Sequence, residues 1–161
     1  MTIAAALATT VVHWERIGAP ALMERFVLRN GKAFAPGPRR GPRRKRHQCF
    51  KNATDFVCNG GGGTYVEGYT MIGDLPVFIH HAWVTFDGET AMDPTLVDTG
   101  DHQYFGIEIP KDALIAAIME TERYGVLDHG LGLNTAFMFG RDPDLEPIVR
   151  GIMEKGPWLA Q

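Results

Sequence analysis

Only two cysteines occur in the 161 residues, and they stand nine positions apart. On one helix that separation is about 900° of rotation and ~13.5 Å of rise, beyond the reach of an S–S bond. Cys49 and Cys58 are therefore expected as free thiols. No apolar run approaches the ~20 residues that span a bilayer, so no contact with the membrane is expected. The apolar start, Met1 to Ala8, has no Lys or Arg ahead of it as a secretory leader would, and the expected location is the cytoplasm. The glycine run Gly60 to Gly63 lacks the Lys-Ser/Thr pair of a phosphate loop and reads as a flexible turn. No closed metal-ligand motif such as His-Glu-x-x-His is present either. A metal site would have to be assembled from His80 or His81, Asp93 and His102, and neither a metal nor another cofactor is expected.

A hydrophobic content of 45% with 10% aromatics is enough for a packed core, and the length suits one domain over residues 1–161. The formal charge of −3 separates into +6 on Arg39, Arg40, Arg43, Arg44, Lys45 and Arg46 and −9 on the rest. The segment that carries them, residues 35–47, also holds three prolines and two glycines and cannot form a regular element. It reads first as a solvated, extended connection that wraps the acidic body. The second reading is a patch that binds a polyanion such as nucleic acid, although the segment has no aromatic residue to stack on a base.

Helical spacing of Leu7, Val11, Trp14 and Ile17 predicts a helix over residues 3–17. Between Glu24 and Phe34, Asn30-Gly31 signals a hairpin, in competition with a helix over residues 20–29 that ends at Gly31. Residues 48–58 predict a helix with Cys49, Ala53, Phe56 and Val57 near one stripe and Asn59-Gly60 as its stop. Residues 64–71 predict a strand with Tyr65, Glu67 and Tyr69 on one face. Further on come a strand over residues 104–109, a helix over 111–124 with Leu114, Ile115, Ile118 and Met119 inward, and a last helix over 142–155 opened by Asp142-Pro143. Residues 126–140 give no clear pattern.

The chain centres on residues 78–95, where the apolar run Phe78 to Phe86 meets Asp87-Gly88 and a second short run follows. That is the pattern of a β-hairpin with His81 on one strand and Asp93 on the next. A two-residue Asp87-Gly88 loop would put the two side chains on opposite faces. A three-residue Phe86-Asp87-Gly88 loop with Gly88 at positive φ would set them directly opposite each other on one face. Both loops suit these residues, and the chemistry favours the second.

Cys49 falls in the first turn of its helix, where free N–H groups and the positive end of the dipole favour a thiolate. A cysteine nucleophile needs a base, and the base needs a third group to set its tautomer. Cys49, His81 and Asp93 supply those roles in that order. His80, the neighbouring candidate base, faces the other way by alternation. An oxyanion would be met by the Cys49 N–H and by the side chain of Gln48 or Asn52. Trp83, Glu67 and Tyr69 are candidates for lining the substrate cleft.

The order Cys49, then His81-Ala82-Trp83, then Asp93-Pro94-Thr95 resembles the core of transglutaminase-like proteins in the papain-like cysteine peptidase superfamily. The wider stretch, residues 26–110, with Gln48 to Ala53, Tyr65 to Tyr69 and Tyr104-Phe105-Gly106, is similar to small uncharacterised bacterial and phage proteins. The resemblance implies an α+β fold in which the helix bearing the Cys packs on an antiparallel sheet bearing the His and the Asp. It implies a cysteine-dependent hydrolase or acyltransferase acting on an amide of a protein or peptide. The alternative is a catalytically inactive binding module whose basic loop docks on a polyanionic or protein partner.

Overall fold

The structure, a computed structural model, describes residues 1–150 apart from 20, 76, 98, 128–133 and 149. Helix α1 (Ile3–Arg16) is capped by Thr2, whose hydroxyl accepts from the Ala5 N–H. Its buried face is Ile3, Ala6 and Leu7, so only the first half of the predicted stripe docks, and Trp14 and Ile17 stay exposed. The competition around Asn30-Gly31 goes to the helix. In α2 (Leu22–Asn30), Leu22, Phe26 and Val27 fall on one stripe and are all buried, and Asn30 Nδ2 donates to the Phe26 carbonyl. Packing of that stripe outweighs the local turn signal.

Strand β1 (Lys32–Pro36) follows at once, taking in Ala35 and Pro36 at the edge of the segment expected to be irregular. The sheet also contains β2 (Thr64–Ile72), β3 (Phe78–Thr85), β4 (Thr90–Ala91) and β5 (His102–Ile109), in the order β3-β2-β5-β1-β4. The fold is α+β as expected, but the sheet is mixed rather than antiparallel, because β4 runs parallel to β1. The sheet then curls back on itself. Val84 and Met92 exchange both backbone hydrogen bonds, at 3.0 and 2.8 Å, joining the far edge to β3.

Phe34, Val66, Trp83, Ala91 and Tyr104 fill the inside of the curl. Helices cover the outside. Helix α3 (Cys49–Cys58) and α4 (Lys111–Thr121) pack on Tyr65, Ala82, Val84 and Ile109. Helices α1, α2 and α5 (Thr135–Arg141) pack around Tyr69, Met71 and Ile107. Helix α4 ends three residues earlier than predicted, at a left-handed Glu122, and buries Leu114 and Ala117 while Ile115 and Met119 are exposed. Helix α5 lies in the stretch for which no element was predicted. Of the last predicted helix, residues 142–144 are cap and turn, residues 145–148 and 150 are helical, and the remainder lies outside the described residues. Among the described residues no helix is long and apolar enough to cross a membrane.

Inside the curl, Gly68 of β2 faces Gly106 of β5. A Cβ on Gly68 would lie 2.3 Å from the Phe105 carbonyl oxygen, and one on Gly106 would lie 2.7 Å from both the Glu67 carbonyl oxygen and the Trp83 ring. Neither backbone nor a fully buried indole can yield easily. Gly106→Ala is therefore expected to destabilise the fold by about 2–3 kcal/mol, the scale of overpacking a close-packed interior. Urea unfolding reads this directly, and an unchanged midpoint would contradict the close approach.

Candidate active site

The chain enters α3 from the basic segment through His47, whose φ of 59° is left-handed, a conformation that His tolerates better than most residues. That reversal places Cys49 at the first helical position. Ala53 and Val57 are buried on the sheet below, so the helix is fixed while Cys49 remains half-buried and accessible. The first N–H groups of α3 have no acceptor within the helix and point towards the thiol's surroundings.

Neither loop considered for the hairpin forms. The Val84–Met92 pairing corresponds to a wider loop, organised by Asp87, whose Oδ1 accepts from the N–H groups of Glu89 and Thr90, both at 2.8 Å. These donors hold the Asp87 carboxyl far below the usual carboxylate range. Gly88 has φ of 74°, as expected. Extended past the bridge, this register sets Asp93 opposite Trp83 rather than His81. Trp83 and His81 share a face by alternation, so base and orienter meet on a diagonal.

They do meet. His81 Nε2 lies 2.7 Å from Asp93 Oδ2, and the Tyr104 hydroxyl donates to the same oxygen at 3.0 Å. Asp93 Oδ1 accepts from the N–H groups of Thr95 and Leu96, at 2.8 and 2.9 Å. The carboxylate is thus fully satisfied and its direction is set by the backbone. The Cys49 thiol lies close enough to the same imidazole to contribute to raising its proton affinity. With Nε2 engaged by Asp93, Nδ1 is the nitrogen left for sulfur. The Trp83 indole lies nearly parallel to the His81 ring, with centroids 6.4 Å apart and planes 20° apart.

Burial of His81 opposes its charged form, but hydrogen bonds and charge from Asp93 and Cys49 outweigh it and raise the ring to about 9. Asp93 moves the other way. Desolvation would push its carboxyl up, yet the imidazole and the two backbone N–H groups leave it below the usual range. The two shifts agree, and together they describe an imidazolium–carboxylate pair at neutral pH. Burial and the Asp93 charge raise Tyr104, so its hydroxyl remains a donor.

Several predicted site residues have other positions. Asn52 is no oxyanion donor, since its Nδ2 donates to the Lys45 carbonyl at 2.7 Å and to Thr95 Oγ1 at 2.9 Å, using both protons. It ties α3 to the turn that carries Asp93. Gln48 is the N-cap residue, and its side chain makes no capping bond, which leaves it as the polar side chain next to Cys49. Trp83, Glu67 and Tyr69 line no cleft, because all three are buried. Trp83 packs under His81. Tyr69 packs on Phe78. Glu67, on the outer face, accepts from the Tyr65 hydroxyl and the N–H groups of Val126 and Leu127, and lies 3.0 Å from His80 Nε2.

Alternation keeps His80 on that outer face, against Phe50 with ring centroids 4.8 Å apart and planes tilted by 54°, and away from His81. The metal set proposed around these histidines is not assembled, and among the described residues no cluster of three His, Cys, Asp or Glu side chains could hold an ion. Tyr104 and Thr95 are the residues that sequence reasoning missed. Their signal was weak: alternation puts Tyr104 on a strand face, but only the pairing of β5 with β2 says which face.

The chain matches no protein-family model, no curated protein and no solved structure. The site must therefore be read from its own geometry. Beside Asp93 the surface opens into a cavity of about 430 Å³ whose wall includes Arg39, Leu96, Val97 and Thr99. Of the three groups, Asp93 lines this space.

Proposed function

We propose that the protein is a cysteine-dependent hydrolase or acyltransferase acting on an amide, built on a papain-like arrangement of helix and curled sheet. The observation that carries this is the buried His81–Asp93 pair at 2.7 Å, with Cys49 at the first position of α3 close enough to the same imidazole to raise it. Cys49 sulfur attacks the carbonyl carbon as thiolate, with its proton held by His81. The oxyanion that forms faces the N–H groups at the start of α3 and the Gln48 side chain. The imidazolium then gives its proton to the leaving nitrogen, the C–N bond breaks and a thioester remains. Water or an amine, losing a proton to neutral His81, attacks the thioester and releases sulfur. Asp93 holds the ring with its proton on Nε2 and stabilises the charged form.

Both cysteines are partly exposed, so access alone does not separate them. Among the described residues, Cys49 is the cysteine coupled to an imidazole. Iodoacetamide at mildly acidic pH is expected to alkylate Cys49 at least about tenfold faster than Cys58, because thiolate is the reacting form. Equal rates, read by mass spectrometry, would remove the nucleophile from the proposal. Turnover is expected to have a basic limb near the His81 value of about 9, above which the ring has no proton for the leaving nitrogen. The same shift has a stability consequence of fixed sign. A folded value above the ordinary 6.5 stabilises the fold fully below that pH, and the contribution is lost as pH rises through about 9.

A further inference from the structure

The basic segment is exposed and irregular beyond Pro36, as expected, but it is not held to the body mainly by ion pairs. Among the described residues its one ion pair is Arg44 Nη1 with Asp55 at 4.0 Å. It is held instead by neutral contacts: the Arg44 N–H donates to the Pro94 carbonyl at 2.9 Å, Arg43 Nε to the Thr95 carbonyl at 3.3 Å, and Asn52 to the Lys45 carbonyl. Arg40 stacks on the Phe86 ring at 3.8 Å. Arg39, Arg40, Arg43, Lys45 and Arg46 are exposed, and none has a carboxylate within ion-pair distance among the described residues. Elsewhere the chain does pair its cations, as in Arg25–Glu15, Arg29–Asp142 and Lys32–Glu108. Among the described residues these five neighbouring like charges thus have no ion-pair partner. They lie between the first turn of α3 and the Pro94-Thr95 turn, the two pieces that carry Cys49 and Asp93.

We propose that this strap recognises an acidic polypeptide and presents its amide to Cys49, an inference that rests on the catalytic reading above. Arg39 stands in the wall of the cavity beside Asp93, where an incoming carboxylate could meet it. Asp93 does not compete for that guanidinium, because its four hydrogen bonds already saturate it. A nucleic acid fits less well. The rings beside the strap, Phe86 and Phe56, each already carry a guanidinium, of Arg40 and of Arg44, which a base would have to displace from that face.

The test compares a fluorescein-labelled Glu-rich peptide with a single-stranded oligonucleotide of equal charge, by anisotropy across a salt series. The proteins are the native chain and the triple variant Arg39→Ser, Lys45→Ser, Arg46→Ser, whose native side chains hold no contact that the fold needs. The peptide is expected to bind the native chain, more weakly as salt rises, and about tenfold or more weakly to the variant. Bound peptide should slow alkylation of Cys49 several-fold and leave Cys58 unchanged. Oligonucleotide binding as tight as the peptide, an unaffected triple variant, or an unprotected Cys49 would each overturn the proposal. Equal alkylation of the two cysteines without peptide would overturn the catalytic reading separately, since peptide binding is measured independently of it.

Discussion

Asp93→Asn is expected to leave the fold in place and lower turnover by about 10⁴-fold, the scale on which loss of the orienting carboxylate acts in such triads. The geometry gives the reason. Oδ1 can still accept from the Thr95 and Leu96 N–H groups, so the amide nitrogen must take the place of Oδ2. It then points a donor at His81 Nε2 and at the Tyr104 hydroxyl, both of which donated to the carboxylate. The ring can satisfy this only by baring Nε2 and moving its proton to Nδ1, the side that faces sulfur. That tautomer cannot take a proton from Cys49, and the imidazolium has lost its counter-charge. Alkylation of Cys49 should slow in parallel with turnover. A variant that labels Cys49 as fast as the native chain would show that Asp93 does not orient the base.

The largest effect on stability is expected at Glu67. Glu67→Ala removes the acceptor for two buried backbone N–H groups, Val126 and Leu127, and for the Tyr65 hydroxyl, and leaves His80 without its carboxylate. An unpaired buried polar group costs about 1–3 kcal/mol, so the sum is on the order of 5 kcal/mol. That is comparable with the whole stability of many domains, and the variant should show no cooperative unfolding transition at 37 °C. A variant within about 1 kcal/mol of the native chain in urea would contradict this.

The pH dependence has a defined sign. Burial opposes ionisation of Glu67, but His80, the Val126 N–H and Tyr65 outweigh it and lower the carboxyl below its usual 4.5. Its contribution is therefore present above that value and lost as pH falls through the folded one. Glu67→Gln should flatten this acid limb.

The residue types that meet at the candidate site were legible along the chain. Cys49 at a helix start follows from the change of pattern after the basic segment, and His81 on a strand follows from the apolar run around it. These are local features, written in period and turn chemistry within a few residues. The two faces of β2 were legible for the same reason. The register between His81 and Asp93 was not, because β4 pairs with β1, some 55 positions earlier, instead of extending the hairpin. A partner so distant leaves no mark on the loop that it displaces.

The same holds for Glu67 and Asn52. Their types suggested a cleft and an oxyanion hole, yet the backbone groups they satisfy, Val126, Leu127 and Lys45, come from segments whose approach only the folded chain decides. The sequence by itself determined the candidate residue types, their order and the elements that bear them. Tertiary structure alone decided the closure of the sheet, the diagonal that joins base to carboxylate, and the exposure of a strap of unpaired cations beside them. The physical reason is that side-chain period is a property of neighbours in sequence, whereas register and polar satisfaction are properties of whichever strand or turn arrives across space.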